Sequence, residues 1–286
     1  QYLGEKDYRD TLELSTPNGT GTIDKASGNL TYSGDDFDIN VGGMGLSLTR
    51  TYNSQSKKAG MLGNGWYDTF HKQLYQVGDN LIFQDSDGTY ITFEKNGNSY
   101  TSKETKDYTL SLTENNSKAS TLKNAAKSTV LVNTRANNIL GRSTSRTATY
   151  NPSHNTKTET GEIQPVISEK SVIVVCTLTD KNNTTYQFDA NGHMTGMEDA
   201  NGNYVLYGYN EKGQLETVTS NKNQTLTLKY NGGDGEDADR LKEIVLPDET
   251  KVSYTYEKGN LIKATHSSKD GGDSVVYHYA YDSEDH

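Results

Sequence analysis

Tyr186-Gln-Phe188-Asp189-Ala-Asn-Gly192-His-Met194, Tyr207-Gly-Tyr209-Asn210-Glu-Lys-Gly213-Gln-Leu215 and Tyr254-Thr-Tyr256-Glu257-Lys-Gly259-Asn-Leu261 are three copies of one unit. Each reads aromatic-x-aromatic, a polar residue, a turn with glycine, then a long apolar residue. Leu228-Lys-Tyr230-Asn231 leads through a longer acidic loop to Arg240-Leu241, and Tyr279-Ala-Tyr281-Asp282 opens another copy. The step is 21 residues from Phe188 to Tyr209 and again to Tyr230, then 26 to Tyr256. A recurrence on this scale marks stacked supersecondary units, none of which can bury its apolar face alone.

Working outward, the same alternation recurs. Leu46, Leu48, Arg50 and Tyr52 fall on one side of a period-two run, as do Leu226, Leu228 and Tyr230, then Val252, Tyr254 and Tyr256, then Val275, Tyr277, Tyr279 and Tyr281. Successive strand side chains point to opposite faces, so each run predicts a strand with one buried and one wet face. Val172-Ile-Val-Val-Cys176 is apolar throughout, as expected of a strand covered on both sides, with Cys176 a packing residue. Asn-Gly and Asp-Gly pairs punctuate the runs and predict type I′ hairpin turns. Ile82 to Ile91 reads as strand, turn, strand.

Composition agrees with an all-β, antiparallel chain. Only 31% of the 286 residues are hydrophobic, which taken alone leans towards disorder. Twenty Tyr and 27 Gly against 4 Pro argue otherwise, because they suit many short strands joined by tight turns. No stretch approaches the roughly 18 apolar residues of a membrane span. The net charge of -10 disfavours a sequence-independent grip on nucleic acid. One cysteine excludes a disulfide framework and any multi-cysteine metal site. The sequence opens at Gln1 without a targeting signal and reads as an excised piece of a longer protein.

Charge divides the chain. Residues 117–165 hold seven cations and two anions, leaving -15 for the remainder. That stretch, dense in Ser, Thr and Asn, reads as a polar insertion or long loop, either solvated without special function or a basic site for an acidic partner. The organisation expected is a lead-in over 1–26, a β module over 27–116, the insertion over 117–165 and a repeat β-sheet over 166–286.

The repeats, together with Leu48-Thr-Arg50-Thr-Tyr52-Asn-Ser54, Gly63-Asn-Gly65-Trp66 and Asp87-Gly88-Thr89, resemble the RHS, or YD-repeat, family, over residues 27–112 and 172–286. The family pattern is Y-x-Y-D-x-x-G-x-L; this chain departs from it with Asn210, Asn231 and Glu257 in place of Asp. The resemblance implies a curved β-shell of spiralling strands, here its opening module and first repeats, truncated at the C-terminus. It implies a secreted or bacterial cell-surface or cell-wall location. The implied partners are the rest of the shell and a C-terminal toxin or effector domain of the same parent chain. Teneurins, animal relatives with an adhesive role, leave a second reading open, an adhesin module that holds surface glycans.

The residues expected to carry the motif structurally are Leu48, Arg50, Tyr52, Gly65, Trp66, Tyr207, Tyr209, Gly213, Tyr254, Tyr256 and Gly259. Arg50, on an apolar face, reads either as an arginine stacked on aromatic rings or as a buried ion pair that fixes register. Trp66 reads as a packing anchor, with a glycan platform as the alternative. The loop from Asn231 to Asp239 is rich in oxygen ligands, yet its spacing is not that of an EF-hand and it reads as turn chemistry rather than a Ca²⁺ site. No His-Glu-x-x-His or Gly-x-Ser-x-Gly motif occurs, so no catalytic residue, cofactor or metal is expected and a hydrolase is the least favoured class.

Overall fold

A computed structural model describes residues 10–56, 58–86, 88–97, 99–112, 150–157, 163–167, 176–189 and 192–282. The apolar run 172–175 and most of the 117–165 insertion lie outside these described residues. Strands form throughout and every described pairing is antiparallel, so the fold is all-β.

The opening strands are β1 (Thr11–Thr16), β2 (Gly19–Asp24), β3 (Leu30–Val41), β4 (Met44–Asn53), β5 (Ala59–Gly60), β6 (Gly63–Asn64) and β7 (Trp66–Asp68). They are followed by β8 (Gln73–Val77), β9 (Asn80–Gln84), β10 (Tyr90–Asn96), β11 (Ser99–Thr101) and β12 (Tyr108–Leu112). β13 (Tyr150–Lys157) pairs with β14 (Ile163–Ile167), which runs past the expected end of the insertion at 165. The repeats supply β15 (Cys176–Asp180), β16 (Thr185–Phe188), β17 (Met194–Glu198), β18 (Tyr204–Tyr209), β19 (Leu215–Ser220) and β20 (Thr225–Tyr230). They continue with β21 (Leu241–Val245), β22 (Lys251–Glu257), β23 (Asn260–Ser267) and β24 (Ser274–His278).

The chain divides into two compact units. The first comprises residues 1–39, 46–70 and 228–286, the second 40–45 and 71–227. In the first, the sheet of order β1-β2-β3-β4-β7 accompanies the ladder β21-β22-β23-β24. In the second, β11-β10-β9-β8 accompanies the ladder β12-β15-β16-β17-β18-β19. Alternation decides which side chains enter the core. Leu46, Leu48, Arg50 and Tyr52 are all buried on β4, and Val252, Tyr254 and Tyr256 are all buried on β22. Residue Cys176 is fully buried, and burial pushes its thiol pKa up to about 12, which leaves it a packing residue. On β24 the expected buried face fails: Val275 is 53% exposed, because β24 is the last strand of its ladder and nothing in the described residues covers it.

The turns differ from expectation in a consistent way. At Asn201-Gly202 and Asp270-Gly271 only the glycine takes a positive φ. The Asn201 hairpin is a type I turn followed by one left-handed residue, the three-residue loop that needs a single positive φ. The N–H of Asp199 bonds Asn203 O and that of Gly202 bonds Asp199 O. A side-chain oxygen at the loop's first residue selects this geometry. Asp199 Oδ1 accepts the N–H groups of Asn201 (2.8 Å) and Asn203 (2.9 Å). Asp180 Oδ1 does the same for Asn182 and Thr184, Asn210 Oδ1 for Lys212 and Gln214, and Ser220 Oγ for Lys222 and Gln224. Asp189, which follows Phe188 in its copy, accepts from His193 N at 3.0 Å. One acceptor oxygen suffices for such a turn, so Asn210 replaces Asp without loss of the bond. Type I′ turns do occur, at Gly42-Gly43 and Lys258-Gly259, where both central residues have positive φ. At Gly42 and Gly43 a Cβ would lie 2.5 Å from Asn221 Oδ1 and 2.6 Å from Asn203 Oδ1.

Three of the repeats also carry a bulge. Phe188 pairs with Met194 while Gln187 pairs with Gly196, leaving Thr195 unopposed; Glu216 and Ile262 are unopposed in the same way. In three copies the second tyrosine then reaches back to the preceding one. In the second unit Tyr209 donates its hydroxyl to Met194 O at 2.6 Å. In the first, Tyr256 donates to Leu241 O at 2.7 Å and Tyr281 to Leu261 O at 2.8 Å. The accepting residue is each time the long apolar residue that closes the earlier unit. Replacing Tyr256 or Tyr209 by Phe leaves a buried carbonyl without this donor and should cost about 1–3 kcal/mol in urea denaturation. A cost near zero would show that the hydroxyl does not join the repeats.

Candidate functional site

The first unit concentrates its buried polar chemistry around Arg50. Period-two alternation turns this side chain inward from β4, where it is fully buried. An arginine cannot shed its proton there, so the surroundings must supply an anion. Asp36 of β3 does so in a bidentate pair, accepting from Nε at 2.6 Å and Nη2 at 2.8 Å. Asp36 also accepts from Tyr254 OH at 2.5 Å and lies 3.0 Å from His266 Nε2. Arg50 Nη2 donates in addition to Tyr279 OH at 2.9 Å. The guanidinium lies 5.1 Å from the Trp66 ring centroid, 5.4 Å from that of Tyr279 and 5.9 Å from that of Tyr254. The ion pair and the aromatic stacking are thus both present.

Burial would raise the Asp36 pKa, but the Arg50 charge and the hydrogen bonds from His266, Arg50 and Tyr254 outweigh it and hold the carboxyl below its usual range. Burial would likewise lower the Arg50 pKa, and the Asp36 charge overrides it. Tyr254, wholly desolvated and beside Asp36, has its pKa driven far up and stays a donor.

Beside this pair lies a cavity of about 460 Å³, walled by Leu14, Tyr32, Tyr52, Trp66, Tyr279 and Tyr281 among others. Its rings are fixed from behind. Trp66 Nε1 donates to Tyr281 OH at 3.0 Å, Asn18 Nδ2 donates to Tyr279 OH at 3.2 Å, and the Tyr52 and Trp66 rings stand 5.2 Å apart. Trp66 is 2% exposed, so the indole is a packing anchor and offers no open platform for a sugar.

The remaining motif residues serve the frame. Leu48 is fully buried in the first unit. Gly65 has a φ of 73° and admits Tyr52, whose Cε2 would lie 2.7 Å from a Cβ. Gly259 donates its N–H to Asp237 Oδ1 at 2.6 Å and accepts from Asn64 N at 2.9 Å. The acidic loop is therefore tied down by its own bonds, with Asn231 Nδ2 also donating to Asp237 O. Tyr207, Tyr209 and Gly213 belong to the second unit, where Tyr207 is buried and Gly213 takes the left-handed turn position.

The second unit holds its own ion pair, missed in the sequence. Lys72 pairs with Asp85, and Tyr108 OH donates to Asp85 Oδ2 at 2.7 Å. Lys72 Nζ stands 5.2 Å from the Tyr186 ring centroid. Burial opposes ionisation of Asp85, yet the Lys72 charge and these bonds keep its pKa low. The other residues missed are Asp36, His266 and Tyr279. An inward arginine demands an acid, but Asp35, Asp36 and Asp38 stand together and periodicity alone does not choose among them.

Comparison with known proteins bears on this geometry. Residues 188–225 match the family model described as RHS Repeat. The chain carries an RHS repeat. Residues 20–93, which supply Asp36, Arg50 and Trp66, match a model described as a domain of unknown function, DUF6531. Over 95 residues the chain is 28% identical to the tRNA nuclease WapA of Bacillus subtilis (strain 168). It is equally similar to the tRNA3(Ser)-specific nuclease WapA of Bacillus spizizenii. Either match covers 33% of this chain and 4% of the relative, so the chain spans a small fraction of those proteins. A crystal structure of TcdB2-TccC3-Cdc42 aligns with 96% of this chain and 16% of its own, at 12% identity and a TM-score of 0.19. The all-β assignment rests on the strand register rather than on that superposition. At the position after the second aromatic residue Asp189 and Asn210 each cap a turn, and the tyrosine beside Asn210 bonds the preceding unit.

Removing one member of the buried pair should be costly. Asp36→Ala strands the Arg50 charge and should destabilise by about 3–5 kcal/mol, whereas Asp36→Leu with Arg50→Met should recover most of the loss. Because the folded pKa of Asp36 is lowered, its stabilising contribution is complete above the unfolded value of about 3.9 and is lost as pH falls through the lower folded value. The stability difference between the native chain and Asp36→Asn, followed by denaturation from pH 7 to pH 2, should shrink across that window. A difference that does not change with pH would refute the assignment.

Proposed function

We propose that this chain is a wall segment of an RHS-repeat shell, part of a secreted or bacterial surface protein, which encloses or displays a C-terminal toxin or effector domain. The observation that carries the reading is the repeat-to-repeat bond. In three copies the second tyrosine (Tyr209, Tyr256 and Tyr281) satisfies a carbonyl of the unit before it, so units extend a sheet by addition rather than close a catalytic cleft. In this reading residues 27–116 form the opening module, 117–165 a basic insertion and 166–286 the repeat sheet. In this reading the chain itself performs no catalysis. The adhesin reading gains less support, because Trp66 has no exposed face.

The test uses the parent protein. Its region C-terminal to the repeats should resist trypsin, and deleting the repeats should open it to digestion within the same time course. Digestion at one rate with and without the repeats would overturn the enclosure. Saturable binding of this chain on a glycan array would favour the adhesin instead.

A further inference from the structure

The ion pair of the second unit has no part in the reading above, and its chemistry differs from that of the first. The cation beside Asp36 is an arginine, which keeps its proton and attacks nothing. The cation beside Asp85 is a lysine, and a lysine becomes a nucleophile once a proton leaves it. The Lys72 and Asp85 side chains are only 13% and 18% exposed. The lysines of the surface pairs Lys25–Asp10, Lys229–Glu243 and Lys181–Asp107 are 44%, 56% and 66% exposed, so water competes for them as it does not for Lys72.

Two aromatic rings line the amine. Lys72 Nζ stands 5.2 Å from the Tyr186 ring centroid and 5.8 Å from that of Phe83. The carboxyl is held on both of its oxygens. Oδ1 bonds Lys72 Nζ and accepts from Ser86 N at 2.7 Å, while Oδ2 accepts from Tyr108 OH at 2.7 Å. Tyr108 is fixed in its turn by an edge contact with Phe83, their centroids 5.4 Å apart. Asp85 Cγ is the atom next to the oxygen that Nζ already bonds, so nitrogen and carbon meet without rearrangement of the strands. Holding two reacting groups in this way replaces a chance encounter by a permanent one, which lowers a barrier by several kcal/mol.

We propose that Lys72 and Asp85 join in an intramolecular amide, an isopeptide crosslink between the segment ahead of β8 and the turn after β9. At rest the pair is ionic. A proton moves from Nζ to the carboxylate along the bond that joins them, leaving an amine beside an acid with no charge to keep from water. The Nζ lone pair attacks Cγ and the C–N bond forms. Nζ sheds a second proton, the bond from Cγ to Oδ2 breaks, and Oδ2 departs as water with both protons that the lysine has lost. Tyr108 OH, already bonded to Oδ2, stabilises the negative charge that this oxygen gathers as it leaves. The step needs no oxidant, metal or second molecule. The crosslink closes a covalent loop around the hairpin β8-β9, which restrains its unfolding.

Intact-mass spectrometry of the purified full chain tests this on the native protein, so the result does not depend on a variant that folds. The chain should weigh one water less than its sequence. A tryptic digest should hold a branched peptide in which Lys72 is uncut and joined to the peptide that carries Asp85. Lys72→Arg and Asp85→Ala should each restore the full mass. Tyr108→Phe should slow the appearance of the branched peptide in freshly refolded chain about tenfold or more, with the far-ultraviolet circular dichroism unchanged. A folded chain that keeps its full mass on prolonged incubation at neutral pH would overturn the proposal, as would a lost water that fragmentation places at any other pair of residues. Linkage at the native rate in Tyr108→Phe would overturn the part given to that hydroxyl. Failure here leaves the protease-protection result untouched, since a wall can enclose its cargo without this bond.

Discussion

A guanidinium sealed from water and unable to lose its charge sets the terms for the first unit. Arg50 must find its anion within the protein, and Asp36 must in turn spend every lone pair on donors that hold still. Those donors come from the opening hairpin and from the repeat strands, on Tyr254 and His266. A one-residue slip of β22 would turn Tyr254 to the opposite face and strand the carboxylate, so the pair admits one register only. The surrounding rings of Trp66 and Tyr279 exclude water, which strengthens the pair and raises the cost of any error in it.

The repeats solve a different problem with related means. A bulge interrupts the ladder, and the tyrosine of the next unit supplies a hydroxyl to the carbonyl beside it. The same tyrosine packs its ring into the core, as Tyr209 and Tyr256 do at 8% exposure. One residue type thus provides apolar burial and a polar bond together, which explains how a chain with few aliphatic residues builds a core from Tyr.

Much of this was legible in the sequence, for reasons that particular residues make plain. Period two placed Leu46, Leu48, Arg50 and Tyr52 on one inward face because a strand offers only two faces. The aromatic-x-aromatic units were visible for the same reason. Turn type was not, because Asn-Gly is compatible with several loops and the choice at Asn201-Gly202 is made by the Asp199 side chain two residues earlier. The partner of Arg50 was hidden among three nearby aspartates. The burial of β24 was misjudged because alternation describes what a strand could cover, whereas exposure depends on whether another strand lies there. The apolar run at 172–175 falls outside the described residues.

The tyrosine bonds all point one way, from a later unit to an earlier one. A ribosome delivers the chain in that order, and during synthesis the acceptor carbonyl of each unit emerges before the hydroxyl that will bind it. Every arriving unit therefore meets a surface already formed, and assembly can advance like a zipper closing from its fixed end.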